Sequence, residues 1–575
     1  MRIRLGRLGG MWKGIREEMP RFGTAGSRSA QLHGDDHAKF DVSESSTDTP
    51  SQTQPQTQSD THKLFILRWL GTLGSLLIGL GGLGAGALPV VGNPFGELPF
   101  GQLMGRMLVS SSAMVFIGVG LLVIAWLLLA PMAGTPLFPR RQAVQHTLSR
   151  SQVWVTFFSW TVPIIATAPL FTQDIYSYIA NGSIVVQGMD PYAAGPVQLL
   201  GADDDLARSV PFIWANSPSP YGPVALGIAA LFSLITNDSI VAAVILHRLA
   251  SILGVIAAGW AIAKLAQRCR VQPASALWLG ILNPLTILHL IGGIHNESIM
   301  LGFALVGMEV ALRGIDKLHA SFRLSMSTAW PAWLLIFGGS VLISAAGMVK
   351  VTGFIGLGFV GMALARLFTQ RLQWKHWLAI STAAGTFVAV LAFTIAAFTV
   401  LSGIGLGWIT GQGGAATIRS WLSISTDIGV TSGFIGMMLG LGDHTEAILT
   451  VTRAVGVLAA AAFMVRMIFA TYRGVMHPVG GLGVSTLVLV ILFPVVHPWY
   501  ILWAIFPLAA WANRLFFRYA VMIYSAVMSF VVLPRGLGLP PGTILQIYLS
   551  AAVGLAVLVT IGWVALRLFR RRVLN

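Results

Sequence analysis

Acidic residues are scarce in this chain of 575 residues: 21 Asp and Glu stand against 37 Lys and Arg. Charged residues of every kind make up only 10% of it, where a soluble globular chain carries about 25%. That excludes an ordinary water-facing surface. Cysteine is almost absent as well. Cys269 is the only one, so no intramolecular disulfide can form and redox chemistry does not reveal the compartment. No His/Cys cluster has zinc-ligand spacing, and no metal or other cofactor is expected. The first residues contain no apolar core of the kind a cleavable signal peptide needs.

What the chain does contain is apolar surface. Hydrophobic residues make up 55% of it, and the mean hydropathy is +0.75. Long apolar runs recur from residue 64 onward. A helix needs about 20 such residues to cross a bilayer, and runs that are continuous rather than alternating select helices over a barrel. The expected fold is an all-α polytopic membrane protein of about 12–14 transmembrane helices. The net charge of +16 sits at span ends, where the positive-inside rule accounts for it without nucleic acid.

Clusters such as Lys264/Arg268/Arg270, Arg366/Arg371/Lys375 and Arg140/Arg141/Arg150 are therefore assigned to the cytoplasm. Threading between them gives spans 64–90, 106–130, 152–171, 240–263, 275–291, 299–312, 331–349, 351–366, 377–401, 446–470, 479–497, 500–513, 519–533 and 543–566, with both termini cytoplasmic. The apolar stretches 223–236 and 428–441 do not fit as full crossings. They are expected to be re-entrant or interfacial. Residues 1–63, ending in "SESSTDTPSQTQPQTQSDTH", read as a disordered cytoplasmic tail. Residues 567–575 read as a basic cytoplasmic C-terminus.

Eight of the 21 acids lie in the tail, which leaves 13 for the membrane part. With the threading above, the unusual polar clusters gather on the outer face: "QDIYSY" after span 152–171, "NSPSPYGP" (216–223), "GGIHNES" (292–298), "MVKVTG" (348–353), "TIRSW" (417–421) and "VVHPWY" (495–500). Structural accidents would scatter over both faces.

Asp174 stands at the mouth of a span beside Tyr176, Tyr178 and Asn181. It reads as a functional carboxylate flanked by amphipathic rings, against the alternative of a polar loop end and an interfacial aromatic belt. His295, Asn296 and Glu297 share one tight loop, more polar groups than a helix cap requires. Lys350 divides two apolar runs. It is either a loop lysine snorkelling outward or an ammonium fixed in a cleft to meet a phosphate. His497, Trp499 and Tyr500 flank the helix-breaking Pro498, either as belt residues or as a platform for the apolar face of a sugar. Tyr221 and Arg419 join the candidate binding residues. Arg248 and Arg453 lie inside spans, where arginine needs a partner, with Asp427, Asp443 or a lipid phosphate as candidates.

Three matches are discounted. "GLGGLG" (79–84) fits G-x-G-x-x-G but lies inside a span, where small residues pack helices. The sequons at Asn181, Asn237 and Asn296 are too loose to locate glycosylation, and "DDD" (203–205) reads as a solvated loop run.

An outward cleft with one candidate base, cations and aromatic platforms suits sugar transfer from a lipid-borne phosphate donor. The acceptor hydroxyl loses its proton to the carboxylate as it attacks. A cation stabilises the leaving phosphate. One displacement with one carboxylate inverts the anomeric centre, unlike the paired carboxylates of glycosidases.

At this point the chain resembles integral-membrane glycosyltransferases of the GT-C class. "FTQDIYSYIANGSIVVQGMDPY", "SPYGP", "GGIHNES", "VKVTG" and "HPWY", in that order, resemble the polyprenol-phosphate-mannose-dependent α-(1→6)-mannosyltransferases of mycolic-acid-making actinobacteria, the MptA/MptB group, most of all its MptB side. The resemblance spans about residues 64–566 and makes that stretch the GT-C transmembrane catalytic domain. It implies a β-linked polyprenyl-phosphate mannose donor at the outer leaflet of the plasma membrane. It also implies a lipid-linked mannan acceptor, an α-1,6 linkage and a role in the lipomannan and lipoarabinomannan backbone. By the same resemblance Asp174 is the loop acid that acts as base. The competing classes are a transporter or lipid flippase, against which stands the lack of an internal repeat, and an enzyme using another lipid-phosphate sugar such as arabinose.

Overall fold

A computed structural model describes residues 58–89, 92–137, 147–324, 329–411 and 418–574. Most of the expected tail, Arg140, Arg141 and Thr417 lie outside the described residues. Among those described there is no β-strand, and the chain is an all-α polytopic membrane protein.

The helices of eight residues or more are α1 (Gln58–Ala85), α2 (Leu108–Leu129), α3 (Arg150–Thr161), α4 (Asp174–Val186), α5 (Pro223–Thr236), α6 (Ile240–Arg268), α7 (Pro273–Gly280), α8 (Glu297–Leu324), α9 (Trp330–Val349), α10 (Ile355–Arg371), α11 (His376–Ser402), α12 (Ile424–Met438), α13 (Thr445–Tyr472), α14 (Pro478–Leu492), α15 (Leu502–Trp511), α16 (Leu515–Met528) and α17 (Pro541–Leu574). Among the described residues nine helices are long and apolar enough to cross a membrane: α1, α2, α6, α8, α9, α10 with its preceding turn, α11, α13 and α17. Each answers to an expected span. The first helix begins at Gln58, inside the expected tail, and the last runs through 567–574 without a break at the expected C-terminal boundary.

The other five expected spans are short or broken, and proline accounts for most of the breaks. Span 152–171 opens as α3, whose start is fixed by a capping box. Gln152 N–H donates to Ser149 Oγ at 3.3 Å, and Ser149 N–H to Gln152 Oε1 at 2.9 Å. The helix gives way to a 3₁₀ turn over Val162–Ile164, and past Pro169 the chain is irregular up to Asp174. Span 275–291 divides at Pro284 into α7 and a π-helical turn, Thr286–Gly292. Span 479–497 stops at Leu492, ahead of Pro494. In each case proline withdraws a donor and clashes with the preceding turn. Irregular backbone at membrane depth is tolerated only where it is buried in protein or lines a cavity.

The short stretches expected not to cross are α5 and α12. With 14 and 15 residues they span only about 21 to 23 Å at 1.5 Å per residue, short of the ~30 Å hydrocarbon core.

Close packing holds the N-terminal helices. A Cβ on Gly81 would stand 2.7 Å from the Ser111 carbonyl of α2, so the "GLGGLG" glycines serve helix contact. Trp126 of α2 and Trp278 of α7 each donate an indole N–H to the other's backbone carbonyl at 3.0 Å, with rings stacked 5.3 Å apart. On the expected cytoplasmic side, Arg268 and Arg313 meet the buried Glu309 at 3.2 and 2.7 Å, and Arg268 also reaches Asp316.

Candidate active site

The broken helices bring their loose ends together. Asp174 is the first residue of α4, where the helix dipole favours a carboxylate. Its Oδ1 accepts the indole N–H of Trp214 at 3.0 Å, and its Oδ2 lies 3.7 Å from His295 Nδ1. The Asp174 side chain remains 27% exposed while that of His295 is 2% exposed, so the carboxylate is the member of the pair open to a ligand.

Glu297 begins α8, and its Oε1 takes the Lys350 ammonium at 2.6 Å. Lys350 sits in the turn between α9 and α10, donates to Tyr500 Oη at 3.2 Å, and lies 4.3 Å and 5.0 Å from the ring centres of Tyr500 and Trp503. Burial opposes its charge, but the Glu297 carboxylate in contact more than offsets that and holds its pKa above the ordinary lysine range. Burial is also the larger influence on His295. It pushes the imidazole below the usual histidine range against the pull of Glu297 and Asp174.

A stack of rings joins the two charged centres. Trp499 faces His295 at 4.1 Å, His497 at 4.6 Å and His289 at 4.9 Å. Tyr221 Oη donates to Tyr178 Oη at 3.3 Å, with the rings edge to face. Among the described residues, the buried atoms His289 Nδ1, His295 Nε2, Trp499 Nε1 and Trp503 Nε1 meet no hydrogen-bond partner. Unmatched polar atoms are costly in a dry interior and are the groups a ligand or ordered water would satisfy.

Of the residues singled out in the sequence, Asp174, His295, Glu297, Lys350, His497, Trp499 and Tyr500 form one connected cluster. Tyr178 and Tyr221 pair beside it. Asn296 caps α8 through its carbonyl, which accepts the N–H groups of Ile299 and Met300.

Five others serve elsewhere. Tyr176 is buried and donates to the Ala87 carbonyl at 2.6 Å. Asn181 Nδ2 bonds back to the Ser177 carbonyl within α4. Arg419 pairs with Glu446 on an exposed flank. Arg248 is fully buried and spends its N–H groups on backbone carbonyls of residues 165–168 and 291–292; among the described residues no acid pairs with it. Arg453 reaches Thr426 Oγ1 at 3.0 Å and the Ile418 carbonyl at 2.8 Å, rather than Asp427 or Asp443.

Trp214, His289 and Trp503 escaped the sequence reading. Trp214 carried a signal as a tryptophan in a polar loop just ahead of "NSPSPYGP". His289 carried one as a histidine inside an expected span.

The loop that bears His497, Trp499 and Tyr500 has its own support. The helix ending at Leu492 leaves carbonyls without helical partners. Ser425 donates to Leu492 O at 3.3 Å, Ser423 to Phe493 O at 2.7 Å, Thr426 to Pro494 O at 2.6 Å, and Ser420 to Val496 O. The segment "SWLSIST" (420–426) is thus a rail of hydroxyls along "LFPVV" (492–496).

Among the described residues, no three His, Cys, Asp or Glu side chains lie together as a metal site would need. The arrangement offers a partly open carboxylate, a half-buried ammonium held by a buried second carboxylate, and an aromatic wall beside them. Fold and site together define a polytopic membrane protein whose broken helices gather a partly open carboxylate, Asp174, and a Lys350–Glu297 ion pair around one group of rings.

Comparison with known proteins narrows this class. Residues 68–366 match the family model described as alpha-(1->6)-mannopyranosyltransferase, N-terminal domain, and residues 425–560 match the MptB C-terminal domain. Alpha-(1->6)-mannopyranosyltransferase B of Corynebacterium glutamicum is 59% identical over 96% of this chain and 92% of its own length. A probable alpha-(1->6)-mannopyranosyltransferase of Mycolicibacterium smegmatis is 39% identical over 88% of each chain. An alpha-(1->6)-mannopyranosyltransferase of Mycobacterium tuberculosis is 38% identical over 87% of this chain and 85% of its own. No solved structure matches the chain at a significant level. The chain belongs to the α-(1→6)-mannopyranosyltransferase family, within its MptA/MptB group and most like MptB.

Proposed function

We propose that this protein transfers mannose from polyprenyl-phosphate mannose to a lipid-linked mannan, forming an α-1,6 bond with inversion. In this reading the site opens on the outer face of the plasma membrane, both termini are cytoplasmic, and the product extends the lipomannan and lipoarabinomannan backbone. The names of the relatives support the linkage. The observation that carries the chemistry is the partly open Asp174 carboxylate in one ring-lined cluster with Lys350.

The acceptor hydroxyl gives its proton to Asp174 as its oxygen attacks C1 of the donor mannose. The bond from C1 to the phosphate oxygen breaks on the opposite face, and the phosphate leaves with the electron pair. Lys350 and Tyr500 stabilise the charge that gathers on it. Lys350 exchanges part of its contact with Glu297 for the phosphate, so the ion pair keeps the ammonium charged and in place while the site is empty. The ring wall built around Trp499 bounds the site on the side of the sugar. A lipid phosphate is a weak base when it leaves, so the reaction needs no general acid, and the reading includes no metal.

The test is mannose transfer from polyprenyl-phosphate mannose to a short α-1,6-mannoside, comparing wild type with Asp174→Asn in the same membranes. The expected result is a fall in turnover of about 10²- to 10⁴-fold, the usual worth of a general base, with donor binding intact. Near-normal turnover would remove Asp174 from the chemistry. Loss of activity to a chelator with recovery on adding a divalent ion would overturn the metal-free reading.

A further inference from the structure

We propose that Arg248 is a positioning residue. One guanidinium caps the two half-helix ends from which Asp174 and His295 emerge, and so sets the separation of that pair. The inference rests on the reading of Asp174 as the base.

Arg248 lies in α6 and is 0% exposed. Its Nη1 donates to the carbonyls of Ile165 at 2.7 Å and Thr167 at 2.6 Å, and its Nη2 to Ala168 at 3.1 Å. Those carbonyls belong to the unwound end of the α3 segment, which leads to Asp174. On the other side Nε donates to Ile291 at 3.3 Å and Nη2 to Gly292 at 3.4 Å. Those close the π-helical turn that leads to His295.

All five N–H groups of the guanidinium are engaged, and they divide between two chain segments. An ordinary cap serves one helix end; this one is shared. The two segments also touch directly, Leu170 N–H donating to Gly292 O at 3.0 Å.

Among the described residues no carboxylate pairs with Arg248, so its counter-charge is the set of helix-end carbonyls, which carry partial negative charge. Lysine has three donors on a flexible stem and could not span both ends with the same fixed fork. Beyond the clamp each segment passes through a residue with positive φ, Phe171 at 65° and Ile294 at 58°. Such conformations persist in bulky residues only where the surroundings impose them. The Asp174–His295 distance of 3.7 Å is the outcome of these two constrained approaches.

The test compares Arg248→Lys in the wild-type and Asp174→Glu backgrounds, reading kcat and donor KM in the mannosyl-transfer assay. In the wild-type background turnover is expected to fall about tenfold to a hundredfold, the cost of displacing a catalytic group by about 1 Å, with donor KM changed less than about twofold. In the Asp174→Glu background, where the base is already displaced, the same substitution should cost much less. An equal fold loss in both backgrounds, or a loss confined to donor KM, would overturn the positioning role.

Gly293→Ala provides a second route if the lysine variant does not fold. An added Cβ would stand 2.7 Å from the His289 carbonyl, 3.1 Å from the Leu170 carbonyl of the other segment and 3.2 Å from the His295 ring, disturbing the clamped approach and His295 without touching the guanidinium. The same selective fall in kcat is expected, and unchanged turnover would overturn the proposal. If Asp174→Glu alone keeps wild-type turnover, the failure belongs to the base assignment, a result distinguishable from failure of the clamp.

Discussion

Two regions of the molecule solve the same problem with different chemistry. Around Asp174 and His295, helix ends left open in the protein are capped by one charged guanidinium. Around His497 and Tyr500, the open end of α14 is capped by four neutral hydroxyls from residues 420–426. A charged donor in a dry interior binds its acceptors more strongly than a hydroxyl does. It is also costly to strand. The clamp is therefore rigid and hard to replace, and the rail is built of small, separable contributions. The difference teaches that the half holding the candidate base is fixed as one unit, whereas the half holding the aromatic wall is adjustable residue by residue.

The largest expected effect tests the ion pair that joins the halves. Lys350→Gln strands the buried Glu297 carboxylate and should cost about 3–5 kcal/mol of stability, read as a lowered melting temperature in detergent, together with loss of donor binding. Combining it with Glu297→Gln should restore much of the stability but not donor binding. Recovery of both would show that the ammonium has no part in holding the phosphate.

Next comes the clamped half. Trp214→Phe keeps the ring and removes the N–H given to Asp174. A hydrogen bond to a charged group is worth about 1.5–3 kcal/mol, and turnover should fall by about 10- to 150-fold with donor KM constant. Equal effects on kcat and KM would mean that the ring matters and not its hydrogen bond.

A smaller effect, with the opposite kinetic signature, is expected on the rail. Thr426→Val removes the donor to Pro494 and the acceptor used by Arg453. Donor KM should rise a few-fold, in line with about 1 kcal/mol for a neutral hydrogen bond, while kcat changes little. A fall in kcat alone would erase the distinction between the halves. The smallest effect is assigned to Arg419→Ala. Its partner Glu446 is exposed, and such pairs contribute little, so turnover should stay within about twofold. A larger loss would return Arg419 to the site.

Much of this was legible in the sequence, for reasons that can be named. The long spans follow from hydropathy alone, and the pairing of Arg268 and Arg313 with Glu309 explains why an acid could be kept there. The motifs around Asp174, His295, Lys350 and His497 stood out because polar groups are costly near a membrane and these had gathered in one predicted layer. Their partners were not legible. Trp214 stood out only as a tryptophan in a polar loop, with nothing to tie it to Asp174, and the hydroxyls of "SWLSIST" are ordinary residues until the fold sets them against residues 492–496.

Arg248 and Arg453 were visible as oddities, but the search for their partners looked to acids and lipid. Every contact of Arg248, and one of those of Arg453, is a backbone carbonyl, a group present at every position and marked at none. Hydropathy also read broken segments as continuous helices, because Pro284 and Pro494 interrupt the helix without interrupting the apolar run.

Trp214 has one more consequence. It sits in the loop between α4 and α5, where its neighbours Phe212 and Ile213 are both exposed, yet its indole holds one oxygen of Asp174. The carboxylate is thus owned jointly by the helical scaffold and by a surface loop. Under the proposed mechanism, a change in that loop also changes the groups that hold the base, so the loop and the rate of transfer cannot vary independently.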